Sequence, residues 1–142
     1  MERIIIGADH GGYDLKEKIK EYIKGLGYEV EDLGTDSDDS VDYTDYAQKA
    51  AKAVQQQGRG ILICGTGIGM SIAANRFSGV RAALCHDEET ARLAREHNNA
   101  NILCMGGRIL DQETAKKITK VWLETKFSGD QRHKRRLEKI DS

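Results

Sequence analysis

At 142 residues, 39% hydrophobic and 32% charged, the chain is long enough to bury one core of its own. A formal net charge of −1 gives no field to attract nucleic acid, no apolar stretch approaches the ~20 residues of a membrane span, and MERIIIGADH lacks a signal-peptide pattern, so a cytoplasmic protein is expected. Three cysteines without CxxC spacing argue against a disulfide framework, and with the four histidines away from zinc-ligand spacings no structural metal is expected.

Arg3 to Ala8 carries Ile4, Ile5 and Ile6, β-branched on both faces as in a strand covered from both sides. Leu15, Ile19, Tyr22, Ile23 and Leu26 recur at three- and four-residue steps, predicting a helix over 14–26 that stops at Gly27. A second strand over 28–33 leads into the acidic loop GTDSDDSVD (34–42), whose Asp42 is positioned to cap a helix over 43–57. A third strand over 60–64 runs into a glycine loop and a helix over 69–76. A fourth strand over 80–85 precedes a helix over 87–97, and a fifth over 100–105 precedes a helix over 111–127 with Asp111 at its cap. Residues 130–140 form a short charged helix or tail. With no repeat, low-complexity segment or linker, residues 1–142 read as a single domain. The alternation predicts an α/β fold, a parallel sheet covered by helices on both faces, with ligands at the carboxyl ends of the strands.

Four segments pass that test of position: Asp9-His10-Gly11-Gly12, Cys64 with the glycine loop, Cys85-His86-Asp87, and Gly106-Gly107-Arg108. In CGTGIG, alternate glycines entering a helix point successive N–H groups at an anion; the bland alternative is a tight turn without a ligand. The dinucleotide pattern GxGxxG fails at Met70, and no GxxxxGK[ST] occurs, so neither a nicotinamide cofactor nor a P-loop nucleotide is expected. A thiol beside such amides has its thiolate favoured and suits a nucleophile or base, although Cys64 also reads as a small apolar residue closing a strand. Asp9 either serves chemistry or caps the next helix. EHNNAN (96–101), between a helix and the fifth strand, lies at the opposite edge of the sheet and reaches this site only from another subunit. The basic run RHKRR (132–136) has the same problem; Arg132 and Arg136 share a helical face that would grip a phosphate, simply meet solvent, or form a nonspecific nucleic-acid patch, the last weakened by the flanking Asp130 and Glu138 and by a nearly neutral chain.

Taken in order, GADHGG (7–12), DYTDYA (42–47), CGTGIGMSIAANR (64–76), REHNNAN (95–101), GRI (107–109) and RHKRR resemble the ribose-5-phosphate isomerase B family, which also contains galactose-6-phosphate isomerase subunits and allose-6-phosphate isomerases. The resemblance covers essentially the whole chain. It implies a five-stranded parallel, Rossmann-like sheet in a three-layer α/β/α sandwich, with the C-terminal helix packing on the partner. It implies a homodimer with shared active sites, a dimer of dimers being a further state, and no cofactor, nucleic acid or membrane. The reaction implied is aldose–ketose interconversion of D-ribose 5-phosphate and D-ribulose 5-phosphate through a cis-enediolate, in the non-oxidative pentose phosphate pathway. A hexose 6-phosphate is the alternative substrate, and a noncatalytic phosphosugar-binding module the alternative class. Carried over, Cys64 is the base, His97 assists ring opening, and Asp9 and His10 lie near sugar and phosphate. Thr66 with the amides of Gly65, Gly67, Ile68 and Gly69 lines the enediolate, and Tyr43 lines the pocket. Asn98, Arg108, Arg132 and Arg136 match binding positions given by the partner, with the arginines on phosphate. Some members are thought to use a glutamate at the position of Met70 instead; here Met70 holds no proton, so the cysteine version applies.

Overall fold

Ile4, Ile5 and Ile6 are wholly buried, and they divide between two cores. A computed structural model describes residues 2–142. In it the strands β1 (Arg3–Ala8), β2 (Glu29–Asp32), β3 (Arg59–Cys64), β4 (Ala82–Leu84) and β5 (Ile102–Gly106) alternate with helices α1 (Tyr13–Gly25), α2 (Tyr43–Gln56), α3 (Ile68–Ala74), α4 (Glu88–Glu96) and α5 (Gln112–Glu124), followed by α6 (Gln131–Asp141). Because successive strand residues face opposite sides, Ile4, Ile6, Ile61, Ile63, Leu103 and Met105 join α1, α4 and α5 in one core built around Trp122. Ile5, Leu62, Cys64, Ile102 and Cys104 join α2 and α3 in the other. Burying one such side chain contributes about 1.5–3 kcal/mol, and both faces of every central strand are so used. The result is the three-layer α/β/α sandwich.

The five strands are parallel in the order β2-β1-β3-β5-β4. The chain moves outward from β1 to β2 and then returns to the other side at β3. The switch point therefore lies between the carboxyl ends of β1 and β3, where Asp9 and Cys64 emerge. No helix among the described residues is long and apolar enough to cross a membrane.

Side-chain pairing explains where elements end. The expected strand over 80–85 shrinks to three residues, because asparagines take over its flanks: Asn101 Oδ1 accepts from Arg81 N at 2.7 Å, and Asn75 accepts from Ala82 N at 2.7 Å while donating to Ala82 O at 3.0 Å. Asn75 thereby substitutes for a further strand along this edge and stops α3 two residues early. The helix expected to reach 127 ends at Glu124, where Thr125 turns extended and its hydroxyl bonds Val121 O at 2.6 Å. Asp111 and Asp87 cap α5 and α4 through Thr114 N and Thr90 N, whereas Asp42 stands at the N-cap of α2 without a side-chain cap bond.

Candidate active site

The turns that follow β1, β3 and β5 touch one another backbone to backbone. Asp9 N donates to Ile63 O at 3.2 Å, Gly107 N to Cys64 O at 2.7 Å and Arg108 N to Gly65 O at 3.0 Å. A side chain at Gly107 would come within 2.7 Å of Gly11 O, so only glycine permits the approach. Asp9 is buried, and its Oδ1 accepts from Gly11 N at 2.9 Å and Gly12 N at 3.2 Å. One carboxylate oxygen thus fixes the turn into α1, and this history leaves Oδ2 for other work.

Cys64 closes β3, 6% exposed, with its Sγ accepting the Gly67 N–H at 3.1 Å. That bond needs Gly67 at φ +81, a left-handed backbone with Leu84 and the Met105 carbonyl where a side chain would go. Thr66 Oγ1 accepts from Ile68 N at 3.2 Å. Two of the loop amides are thereby engaged within the loop, and among the described residues the N–H groups of Gly65, Thr66 and Gly69 have no partner. The exposed ring of Tyr43 covers Gly69, and the Arg108 guanidinium lies over Gly11 and Gly65. Arg108, a partner-given position by resemblance, therefore stands beside this chain's own glycine loop. His10 Nδ1 accepts from Val41 N at 3.1 Å, so the neutral ring carries its hydrogen on Nε2. The other two cysteines are set apart: burial pushes Cys85 up to about 11 and also raises Cys104, which suits the inert, apolar role expected of them.

A second cluster forms at the amino end of the sheet. His97 is the C-cap of α4, Asn98 is exposed, and Asn99 takes the left-handed region at φ 47. Arg95 staples this corner, donating from Nη1 to Asn99 Oδ1 at 3.0 Å and Ala100 O at 2.6 Å and from Nε to Thr125 O at 3.2 Å. Burial, and then the charge of Arg59, bring the Arg95 guanidinium down to about 10. Helix α6 meets its own chain through His133 and Leu137, one turn apart, leaving Arg132 and Arg136 exposed. The His133 ring stacks on His97 with centroids 4.4 Å apart, and Arg81 pairs with Asp141 at 2.9 Å.

Within one chain, then, Asp9, His10, Tyr43, Cys64, Thr66, the amides of residues 65–69 and Arg108 gather at the carboxyl end of the sheet. His97, Asn98, Arg132 and Arg136 gather at the other end. Sequence reasoning gave no part to Arg95 or His133; the one available signal was the i, i+4 pair His133 and Leu137 among charges, a buried stripe on an otherwise polar helix. No group of three or more His, Cys, Asp or Glu among the described residues is arranged to hold a metal ion.

An open parallel sheet with a buried thiol, unpartnered amides and a carboxylate at its switch point defines a doubly wound α/β protein built to handle a small anionic molecule at its strand ends. A sequence profile described as Ribose/Galactose Isomerase matches residues 4–140, and the chain belongs to that family. It is 44% identical over 142 residues to ribose-5-phosphate isomerase B of Escherichia coli (strain K12), spanning 99% of this chain and 95% of that protein. It is 43% identical over 132 residues to D-erythrulose-4-phosphate isomerase of Pectobacterium atrosepticum, spanning 91% of this chain and 87% of the other. The structure of a ribose 5-phosphate isomerase from Thermotoga maritima superposes with a TM-score of 0.95 at 53% identity, covering 99% of this chain and 97% of that one.

Proposed function

We propose that this isomerase interconverts D-ribose 5-phosphate and D-ribulose 5-phosphate as a homodimer. Each site joins the glycine-loop end of one protomer to the His97–Arg136 end of its partner. Arg132 and Arg136 of the partner, with His10 and Arg108, grip the phosphate by charge-assisted hydrogen bonds. That remote binding energy sets C1 and C2 beside the sulfur. The partner's His97 moves the proton that opens the furanose ring. Cys64, as thiolate, takes the proton from C2 of the aldose, and the carbonyl oxygen at C1 gains the charge of a cis-enediolate. Amides of Gly65, Thr66 and Gly69 meet that charge, one preorganised donor being worth ~3 kcal/mol. The hydroxyl proton passes from O2 to O1, the sulfur returns its proton to C1, and the ketose forms with the thiolate regenerated. Asp9 Oδ2 and Thr66 hold the sugar hydroxyls, and Tyr43 closes the side of the pocket. The amides do the electrophilic work, so no metal is needed.

The observation that supports this most is a buried Cys64 sulfur held by one loop amide with unpartnered amides beside it. The test is turnover of ribose 5-phosphate with EDTA present and Cys64→Ala alongside. Activity in the wild type and its loss in the variant are expected; an active variant removes Cys64 as base. The Pectobacterium relative and the family's galactose branch favour one second reading, a different sugar phosphate at the same site. Erythrulose 4-phosphate, allose 6-phosphate and galactose 6-phosphate assayed in parallel decide it.

A further inference from the structure

Packing alone gives α6 no reason to bury a histidine at position 133, one turn before the buried Leu137; an aliphatic side chain would cover the same surface without a polar group to satisfy. The ring does two things at once. One face stacks on His97, with planes inclined by 20° and centroids 4.4 Å apart. Its Nε2 lies 3.3 Å from Arg132 Nη2. A guanidinium only donates, so Nε2 accepts, and His133 is neutral with its proton on Nδ1. The charged and titratable groups around the ring are Arg132 and Arg136 on its own helix, Asp130 at the start of that helix, and His97 on α4, which has Glu96 3.8 Å from its Nε2.

We propose that His133 is a positioning residue for the reaction: its face orients the His97 ring, its Nε2 orients the Arg132 guanidinium, and protonation releases both. This rests on the reading in which His97 moves the ring-opening proton and Arg132 holds phosphate. It ties the two tasks of the amino-end cluster to one side chain. Burial first, then the charges of His97 and Arg132, hold the His133 imidazolium below the usual histidine range, with Asp130 opposing. The fold thus favours the neutral ring, so the stack and the acceptor are present above the ordinary histidine range and are lost as pH falls through the lowered value. A protonated ring would turn an N–H toward the guanidinium and set a cation against His97.

Two variants separate the tasks. His133→Phe keeps a face for His97 but no acceptor, so KM for ribose 5-phosphate should rise about tenfold, the size of a lost hydrogen bond to a charged group, with kcat within about twofold. His133→Gln keeps an acceptor but no ring, so kcat should fall about fivefold, the size of a lost ring pair, with KM nearly unchanged. Parallel changes of kcat and KM in both variants, tracking the thermal midpoint, would mean a structural role only and overturn the proposal. Nitrogen-15 spectra of the imidazoles need no substrate and no variant at position 133. His133 should be the neutral Nδ1–H tautomer at neutral pH, and its titration should move upward in His97→Ala, which removes a facing ring that opposes its protonation. An Nε2–H tautomer, or a titration indifferent to His97, overturns the proposal. If the spectra agree but the wild type turns over none of the sugar phosphates named above, the functional reading has failed, and the positioning role falls with it.

Discussion

The two ends of the sheet hold their functional groups by different means. At the carboxyl end most of the fixing is done by backbone groups: Ile63, Cys64 and Gly65 carbonyls tie the neighbouring turns together, the Cys64 sulfur is held by an amide of its own loop, and the short side chains of Asp9 and His10 accept from nearby amides. At the amino end it is done by long side chains, with Arg95 on Asn99 and Ala100, Arg81 on the Asn99 carbonyl at 3.1 Å and on Asp141, and His133 on His97. The division suits the chemistry proposed for each. Proton transfer beside a developing enediolate rewards donors that need not move. A phosphate is a large, symmetric charge, and flexible arginines reach it from a range of positions.

The largest expected effect breaks the carboxyl end alone. Cys64→Ala should lower kcat by about 10²–10⁴-fold, the usual worth of a positioned acid or base, while KM stays within a few-fold. Steady-state kinetics decide it, and a near-native kcat would take the base elsewhere. The comparison itself is tested by mixing Cys64→Ala with His97→Ala subunits. If each site takes one end from each protomer, a mixed dimer has one intact site and one doubly broken. Random mixing should then restore about a quarter of wild-type activity. Mixed dimers without activity would put both ends of a site on one chain.

Next in size is damage to the backbone scaffold. Gly67→Ala meets Leu84 Cδ1 at 2.6 Å and the Met105 carbonyl, on a backbone at φ +81. The left-handed strain costs about 1–2 kcal/mol and the overpacking about 1–3 kcal/mol, so a loss near 3 kcal/mol is expected in urea unfolding. The same change moves the N–H from Cys64, so kcat should fall with stability. A stable but inactive variant would show that the loop tolerates the methyl and the sulfur does not.

How far the sequence foretold these two ends follows from their physics. The carboxyl end is written locally. Three consecutive isoleucines fix β1 at residues 3–8 as found, and alternate glycines announce the loop at Cys64 because close approach requires them wherever the rest of the chain lies. The sequence leaves Asp9 between cap and chemistry, and in the structure its Oδ1 is taken by the turn. The amino end depends on distant partners. RHKRR shows charge but conceals that His133 is the buried member, since the ring it stacks on is contributed by α4. Arg95 passes for an ordinary helix-end arginine until Asn99, Ala100 and Thr125 are folded around it. The placing of β5 between β3 and β4, and the asparagine pairing that shortens β4, are likewise long-range. Arg108 shows the limit of resemblance, being assigned to the partner yet seated over this chain's own Gly11 and Gly65.

Arg136 probes the flexible end. Arg136→Ala should raise KM about 10–100-fold, as loss of a hydrogen bond to a charged group implies, and leave kcat close to wild type. Added salt should weaken wild-type binding more than that of the variant, because an exposed guanidinium acts through a screened charge. An unchanged KM removes Arg136 from the phosphate site.

The smallest effect separates side chain from backbone at the corner carrying His97. Asn99 supplies an acceptor to Arg95 at 3.0 Å and tolerates φ 47. Arg95 is a cation in an unfavourable place, brought down to about 10 by burial and by Arg59, so its acceptors matter more than those of a surface arginine. Asn99→Ala removes the acceptor and leaves a methyl-bearing residue in the left-handed region, costing about 2 kcal/mol. Asn99→Gly removes the same acceptor but adopts that backbone freely, so its cost should be about 1 kcal/mol, with Ala100 O and Thr125 O still holding the guanidinium. Urea midpoints in the order Asn, Gly, Ala would mean that both contributions are real. Equal losses in the two variants would assign the whole effect to the Arg95 hydrogen bond, and the corner would then owe its shape to one side-chain contact.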